Sequence, residues 1–185
     1  MDETVAPVPG RSEASYALGT PTQDAIMRGT GRRRAFRVCW GVADDAAGLT
    51  YAIDADVVLV GVSRTSKTPT CMYLANCGLK AANVPFVPEV PLPDQLLKLR
   101  KPLVVGLTTS SERLSQIRRN RLLSLRESGD SDYSDPEVVA DELAEAKRVF
   151  ARNRWPTIDV TRKSIEESAA AILSLYQRRK EEQAV

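Results

Sequence analysis

The sequence predicts an α/β fold, a parallel sheet flanked by helices, behind a poorly structured N-terminal tail. Three observations predict it. Apolar strand-like runs alternate with helix-period stripes from residue 56 onward, the pattern of parallel strands joined by crossovers. The run Asp56-Val-Val-Leu-Val-Gly-Val62 passes into a polar loop that ends in Lys67-Thr68, where a helix begins. The 185 residues are 43% hydrophobic and 27% charged, enough for one domain with its own core.

Taken in order, residues 1–34 read as a tail. Pro7, Pro9, Gly10, Gly19, Pro21, Gly29 and Gly31 interrupt every period, and Arg32-Arg33-Arg34 reads as solvated charge. Ala35 to Ala43 fits a strand, and Asp44 to Gly48 a turn. The first strong strand covers 56–62, and the helix after it 69–79, with Pro69 in its first turn. An extended piece at 84–87 and Pro88, Pro91 and Pro93 form a stiff connector to one helical turn at 94–99. Pro102 to Leu107 is a second apolar strand. Ser110 caps a helix to about Leu125, striped by Leu114, Ile117, Leu122 and Leu125. Glu127 to Ser134, with Gly129, is a polar break. Asp135-Pro136 opens a long helix to about Asn153, striped by Val139, Leu143, Ala146 and Phe150. Trp155 to Val160 is a third strand. Thr161 or Ser164 caps the last helix, with Ser164-x-x-Glu167 as a capping box and Ile165, Ala169, Ile172 and Tyr176 as its stripe. The chain thus divides into a tail, 1–34, and a folded domain, 35–185.

Composition narrows the function. There is no histidine, which excludes histidine acid–base chemistry, Ser-His triads and histidine metal sites. A net charge of +2 gives no argument for nucleic acid. No apolar run approaches the roughly 20 residues of a membrane span. Cys39, Cys71 and Cys77 lack metal-ligand spacing, and with no export signal at Met1-Asp-Glu-Thr they read as reduced cytoplasmic thiols.

The chemistry lies in Gly61-Val62-Ser63-Arg64-Thr65-Ser66-Lys67-Thr68. A phosphate loop has a glycine, four residues, a second glycine, then Lys and Ser/Thr. Here Ser66 takes the second glycine's place. Gly61 would let the chain leave its strand in a sharp turn. Amides from Arg64 to Thr68 would form an anion nest. Lys67 would place a point charge on phosphate, with Arg64 as a second cation, and Thr68 would bind Mg²⁺ or a phosphate oxygen. The plain alternative is a polar βα turn with a solvated lysine. Strand, loop and helix in that order favour a P-loop-kinase-like sheet, with ligands at the carboxyl ends of its strands. Thr108-Thr109 and Thr161-Arg162-Lys163 are expected at that same end.

Arg118 and Arg121 fall within or beside the apolar stripe of their helix. Either their stems bury while their heads reach water, or they face an anion and neutralise a transferring phosphoryl group. Candidates for a general base are Asp44, Asp45, Asp54 and Asp56, and no motif chooses among them.

The segments Val57-Val-Leu-Val-Gly-Val-Ser-Arg-Thr-Ser-Lys-Thr-Pro69, Asn83-Val-Pro-Phe-Val-Pro88 and Pro102-Leu-Val-Val-Gly-Leu-Thr108 together make a signature. So do Arg113-Leu-x-x-Ile-Arg-Arg-Asn-Arg-Leu122, Tyr133, and Trp155-Pro-x-Ile-Asp-Val-Thr161 with Ser164-Ile-Glu-Glu167. Over roughly residues 51–179 the chain resembles the pyruvate, phosphate dikinase regulatory proteins and the related phosphoenolpyruvate synthase regulators. The resemblance implies a bifunctional enzyme. It would phosphorylate a threonine of the dikinase with ADP as donor, and remove that phosphate with inorganic phosphate, releasing pyrophosphate. Carried over, 35–185 would be its catalytic domain and 61–68 its nucleotide loop; from the residues themselves, Lys67, Arg118 and Arg121 are the expected catalytic residues, with Mg²⁺ or a phosphate oxygen at Thr68. The expected partner is the dikinase or the synthase, in the cytoplasm, with a homodimer allowed and neither nucleic acid nor membrane involved. Where the family has a His-Asp-Asp-Gly-like segment, this chain has Asp44-Asp45-Ala-Ala-Gly48. The expectation is that the family's N-terminal region is missing, as in a truncated or frame-disrupted reading frame. Outside that chemistry, a small-molecule P-loop kinase using ATP and a non-catalytic nucleotide sensor also fit the loop.

Overall fold

A computed structural model of the protein describes residues 25–27, 34–36, 54–125 and 132–184. The Asp44-Asp45 turn, Cys39, Gly129 and most of the expected tail lie outside these residues. Within the segment read as a tail, β1 (Ala25–Met27) pairs antiparallel with β2 (Arg34–Phe36). The strand expected at 35–43 is thus described only at its start.

The domain proper is an all-parallel four-stranded sheet with helices on both faces, as the alternating pattern predicts. Its strands are β3 (Val57–Gly61), β4 (Ala81–Pro85), β5 (Leu103–Thr108) and β6 (Thr157–Asp159), in spatial order β4-β3-β5-β6. The helices are α1 (Lys67–Asn76), α2 (Asp94–Leu97), α3 (Ser111–Leu125), α4 (Pro136–Arg152) and α5 (Ile165–Ala184), with a 3₁₀ turn at Asp132–Ser134. β4 begins three residues before the predicted extended piece. Ala81 and Ala82 carry no strand signal of their own, and pairing with Val57 and Val58 recruits them. Pro85 is tolerated because β4 is an edge strand and Pro85 is its last residue.

Strand alternation builds two cores. Val58, Val60 and Val62 face Leu114 of α3 and Val139, Leu143, Ala146 and Phe150 of α4. Val57, Leu59, Val105 and Leu107 face Cys71 and Leu74 of α1 and Ala169 and Ile172 of α5. β5 would present a side chain at Gly106 to the first core, but the Phe150 ring fills that place. A Cβ on Gly106 would lie 2.4 Å from Phe150 Cδ2. Gly106→Ala should therefore destabilise the fold by about 1–3 kcal/mol. Adding Phe150→Leu should recover part of that loss in a denaturant titration; an additive double variant would refute the steric account.

The helix ends follow the sequence signals. Asp135 accepts from the amides of Glu137 and Val138, with Pro136 opening α4. At α5 the capping box forms in both directions: Ser164 N donates to Glu167 Oε2 at 2.7 Å, and Glu167 N to Ser164 Oγ at 3.1 Å.

The strand order places the site. From β3 the chain passes through α1 to β4 on one side. From β5 it passes through α3 and α4 to β6 on the other. The loops after β3 and β5 therefore leave toward opposite faces, and the crevice between them is where ligands bind in open parallel sheets.

Candidate functional site: the loop between β3 and α1

The loop 61–68 lies at the carboxyl end of a central strand, as predicted. Gly61 is required for a reason other than the expected sharp turn. It is the last residue of β3, and a Cβ there would sit 2.8 Å from Leu107 O and 2.9 Å from Thr65 Oγ1. The sharp backbone lies further on, at Arg64 (φ 70°) and Ser66 (φ 56°), both left-handed. Ser66 thus adopts the glycine-like conformation that the motif's second glycine would take without strain. Ser66→Gly should raise stability by up to about 1 kcal/mol, the relief of strain being partly offset by the entropy of glycine. A lower midpoint in urea would contradict this. Two left-handed residues around Thr65 give the backbone the curvature of an anion nest.

Lys67 opens α1 and is buried, with 8% of its surface exposed. Its Nζ donates to Val62 O at 2.6 Å, and Thr65 Oγ1 donates to the same carbonyl at 2.9 Å. Burial pushes the Lys67 ammonium down to about 7; Cys71 and Glu142 oppose the fall, while Arg118 and Arg64 add to it. A desolvated ammonium with Arg64 and Arg118 nearby fits an anionic ligand. Thr68 Oγ1 accepts from Nδ2 of Asn83, a buried residue of β4, at 3.2 Å.

The arginines of α3 divide. Arg118 is 2% exposed and does not reach water. Its NH1 donates to Glu142 Oε2 at 2.6 Å and to Tyr133 O at 3.1 Å, and its NH2 to Ser63 O at 3.4 Å. The guanidinium lies 4.5 Å from the centre of the Tyr133 ring, and Tyr133 OH is 3.3 Å from Ser63 Oγ. Arg121 is half-buried at the stripe's margin. The Nε–H groups of Arg64, Arg118 and Arg121 are buried and have no hydrogen-bond partner among the described residues. Of these, Arg64 lies in the loop and Arg118 against it, and such orphaned cationic donors fit a phosphate ligand.

Glu142 was missed in the sequence reading, and so was the contact role of Tyr133. Glu142 lies three residues after Val139 and four before Ala146, on the apolar stripe of α4. An acidic residue on that stripe, beside an arginine on the stripe of α3, was the available signal.

At the next strands, Thr108 and Thr109 are buried, and the Thr161 hydroxyl accepts from Ser110 N at 2.9 Å. Asp159 accepts from the Thr161 hydroxyl and amide, which holds its carboxyl below the usual range. Arg162 and Lys163 are exposed. Two base candidates drop out. Asp56 precedes β3 at the amino end of the sheet, where it accepts from Lys80 N and Tyr176 OH. Asp54 is beside it, exposed and bridged to Lys80 and Lys101, which hold its carboxyl at about 2. The strand β3 separates both from the loop. Asp44 and Asp45 lie outside the described residues.

Magnesium in nucleotide sites takes most of its ligands from phosphate and water, with one or two protein oxygens. Thr68 Oγ1 keeps a lone pair beyond the Asn83 contact and fits as such a ligand. Among the described residues no three acidic or cysteine side chains gather into an all-protein metal site. No helix among them is long and apolar enough to cross a membrane.

A family model described as kinase/pyrophosphorylase matches residues 40–173. A protein of Rhizobium meliloti is 62% identical over 126 residues, 68% of this chain and 46% of its own length. One of Caulobacter vibrioides is 58% identical over 132 residues, 71% of this chain and 42% of its own. One of Maricaulis maris is 56% identical over 176 residues, 95% of this chain and 61% of its own, so that match takes in part of the N-terminal segment. All three are provisionally named pyruvate, phosphate dikinase regulatory proteins. The chain spans about half the length of the curated relatives it matches. The loop, the helix pair behind it and the central strands all fall within the matched residues, and the chain belongs to the kinase/pyrophosphorylase family.

Proposed function

We propose that the chain carries the phosphate-handling part of a bifunctional regulator of pyruvate, phosphate dikinase. In one direction a threonine hydroxyl of the dikinase attacks the β-phosphorus of ADP. The bond to the bridging oxygen breaks, AMP leaves, and the hydroxyl proton passes to a base or solvent. In the other, an oxygen of inorganic phosphate attacks the phosphothreonine phosphorus. The threonine oxygen leaves and takes up a proton, and pyrophosphate is released.

The observation that carries this reading is the buried Lys67 at the root of a loop that also holds Arg64 and meets Arg118, each with an unpartnered buried Nε–H, in a chain of this family. Lys67 and Arg64 would hold the phosphates of the nucleotide. Arg118, from its place against Ser63, and Arg121 would oppose the charge on the transferring group. Thr68 would hold Mg²⁺, which supplies charge neutralisation across the phosphates when bound. The reaction would run in the cytoplasm, where ADP and the dikinase meet.

Incubation with ADP and purified dikinase should yield phosphothreonine and AMP in equal amounts, and phosphorylated dikinase with phosphate should yield pyrophosphate. The same products with phosphoenolpyruvate synthase alone would move the target to that enzyme. ATP-dependent turnover of a metabolite would replace the reading with a small-molecule kinase. ADP binding without turnover would make the chain a nucleotide-binding unit.

A further inference from the structure

We infer that Glu142, acting through Arg118, is a positioning residue that sets the shape of the phosphate loop. The inference deepens the reading above and rests on it for the loop's role as a phosphate site.

The geometry joins four pieces of chain at one guanidinium. Arg118 comes from α3, Glu142 from α4, Tyr133 from the 3₁₀ turn between them, and Ser63 from the loop. Glu142 meets NH1 at 2.6 Å, with 9% of its side chain exposed against 2% for Arg118. Tyr133 covers the guanidinium with its ring, and its hydroxyl lies within hydrogen-bond distance of Ser63 Oγ. Ser63 is therefore held twice, by backbone carbonyl and by side chain. Arg64, the first left-handed residue of the loop, is its neighbour.

A buried ion pair is a poor choice if the only task is to join two helices. Desolvation takes back most of the attraction, and apolar side chains of the same volume do as well or better. Here the pair sits where α3 and α4 meet the loop, and the arginine also donates to a loop carbonyl and to Tyr133 O. Without Glu142, Arg118 would be a buried cation near Lys67 with no anion. It would lose its fixed place against Ser63 and turn toward water. Glu142 holds it against the loop.

Glu142→Gln keeps the shape and removes the charge. In the nucleotide-free protein, hydrogen exchange at the loop amides 63–67 should speed up by about tenfold while amides of β3 and β5 keep their rates. Glu142→Asp, which keeps the carboxylate, should restore most of the loop protection that Glu142→Gln loses. Arg118→Lys keeps the charge but loses the fork, and should loosen the same amides if Glu142→Gln does not fold. Unchanged loop exchange in Glu142→Gln and Arg118→Lys, or a uniform rise across the sheet, overturns the inference, as does a Glu142→Asp protein whose loop is as loose as that of Glu142→Gln. ADP affinity of the unmodified protein is measured alongside. Its absence would remove the nucleotide reading, while loop exchange would still decide the role of Glu142.

Discussion

Lys67→Met is expected to yield a protein that is more stable than the parent at neutral pH and inactive in phosphoryl transfer. The stability gain follows from linkage. The Lys67 ammonium is pushed from 10.5 in the unfolded chain to about 7 in the fold, so between those values the unfolded state binds more protons. The parent's stability should rise with pH across that window as this penalty is relieved. The penalty is fully present below about 7 and gone above about 10.5. Methionine has no charge to desolvate, and Val62 O keeps its bond from Thr65 Oγ1. The variant's advantage should therefore be largest at pH 6–7 and vanish near pH 10.5. Activity should fall about 100-fold or more in both directions, as when one charged donor to a transferring group is lost. Thermal unfolding at several pH values and product formation from ADP check the two halves. A variant that is less stable at pH 7, or one that retains activity, would refute the assignment. A residue that lowers stability and sustains the reaction is placed for function.

Gly61→Ala should damage the same site from the other side. Its Cβ would meet Leu107 O, a backbone atom that cannot swing away, and Thr65 Oγ1, which holds the loop to Val62. Relief requires β3 and β5 to part at the carboxyl end of the sheet, beside the loop. A loss of about 1–3 kcal/mol is expected, together with weakened ADP binding. Guanidinium unfolding and calorimetric titration would report both. Wild-type ADP affinity in a folded Gly61→Ala protein would show that the spacing of β3 and β5 does not govern the loop.

Much of this was open to reading in the chain because the signals are local. Val57 to Val62, the stripe from Val139 to Phe150, Asp135-Pro136 and Ser164-x-x-Glu167 each state their own structure, since strand period, helix period and caps depend on neighbours within a turn or two. The early start of β4 at Ala81 was not legible, because two alanines become a strand only when a neighbouring strand accepts them. The boundaries of the loop were legible, but its strain was not. The sequence shows Ser66 where a glycine is usual, and only the fold shows that Ser66 adopts the glycine's backbone.

The chain by itself determined the α/β class, the order of strands and helices from residue 56 onward, and a loop ending in Lys67-Thr68. Tertiary structure decided which charges meet. It separated Asp54 and Asp56 from the loop by the length of a strand, and brought Glu142, 24 residues from Arg118, to 2.6 Å. It also turned Gly61 from an expected hinge into a point of close approach. The physical reason is range. Backbone preference and hydrophobic period act within a few residues, whereas desolvation and charge pairing depend on which distant side chains the closed sheet and its two helical layers bury together.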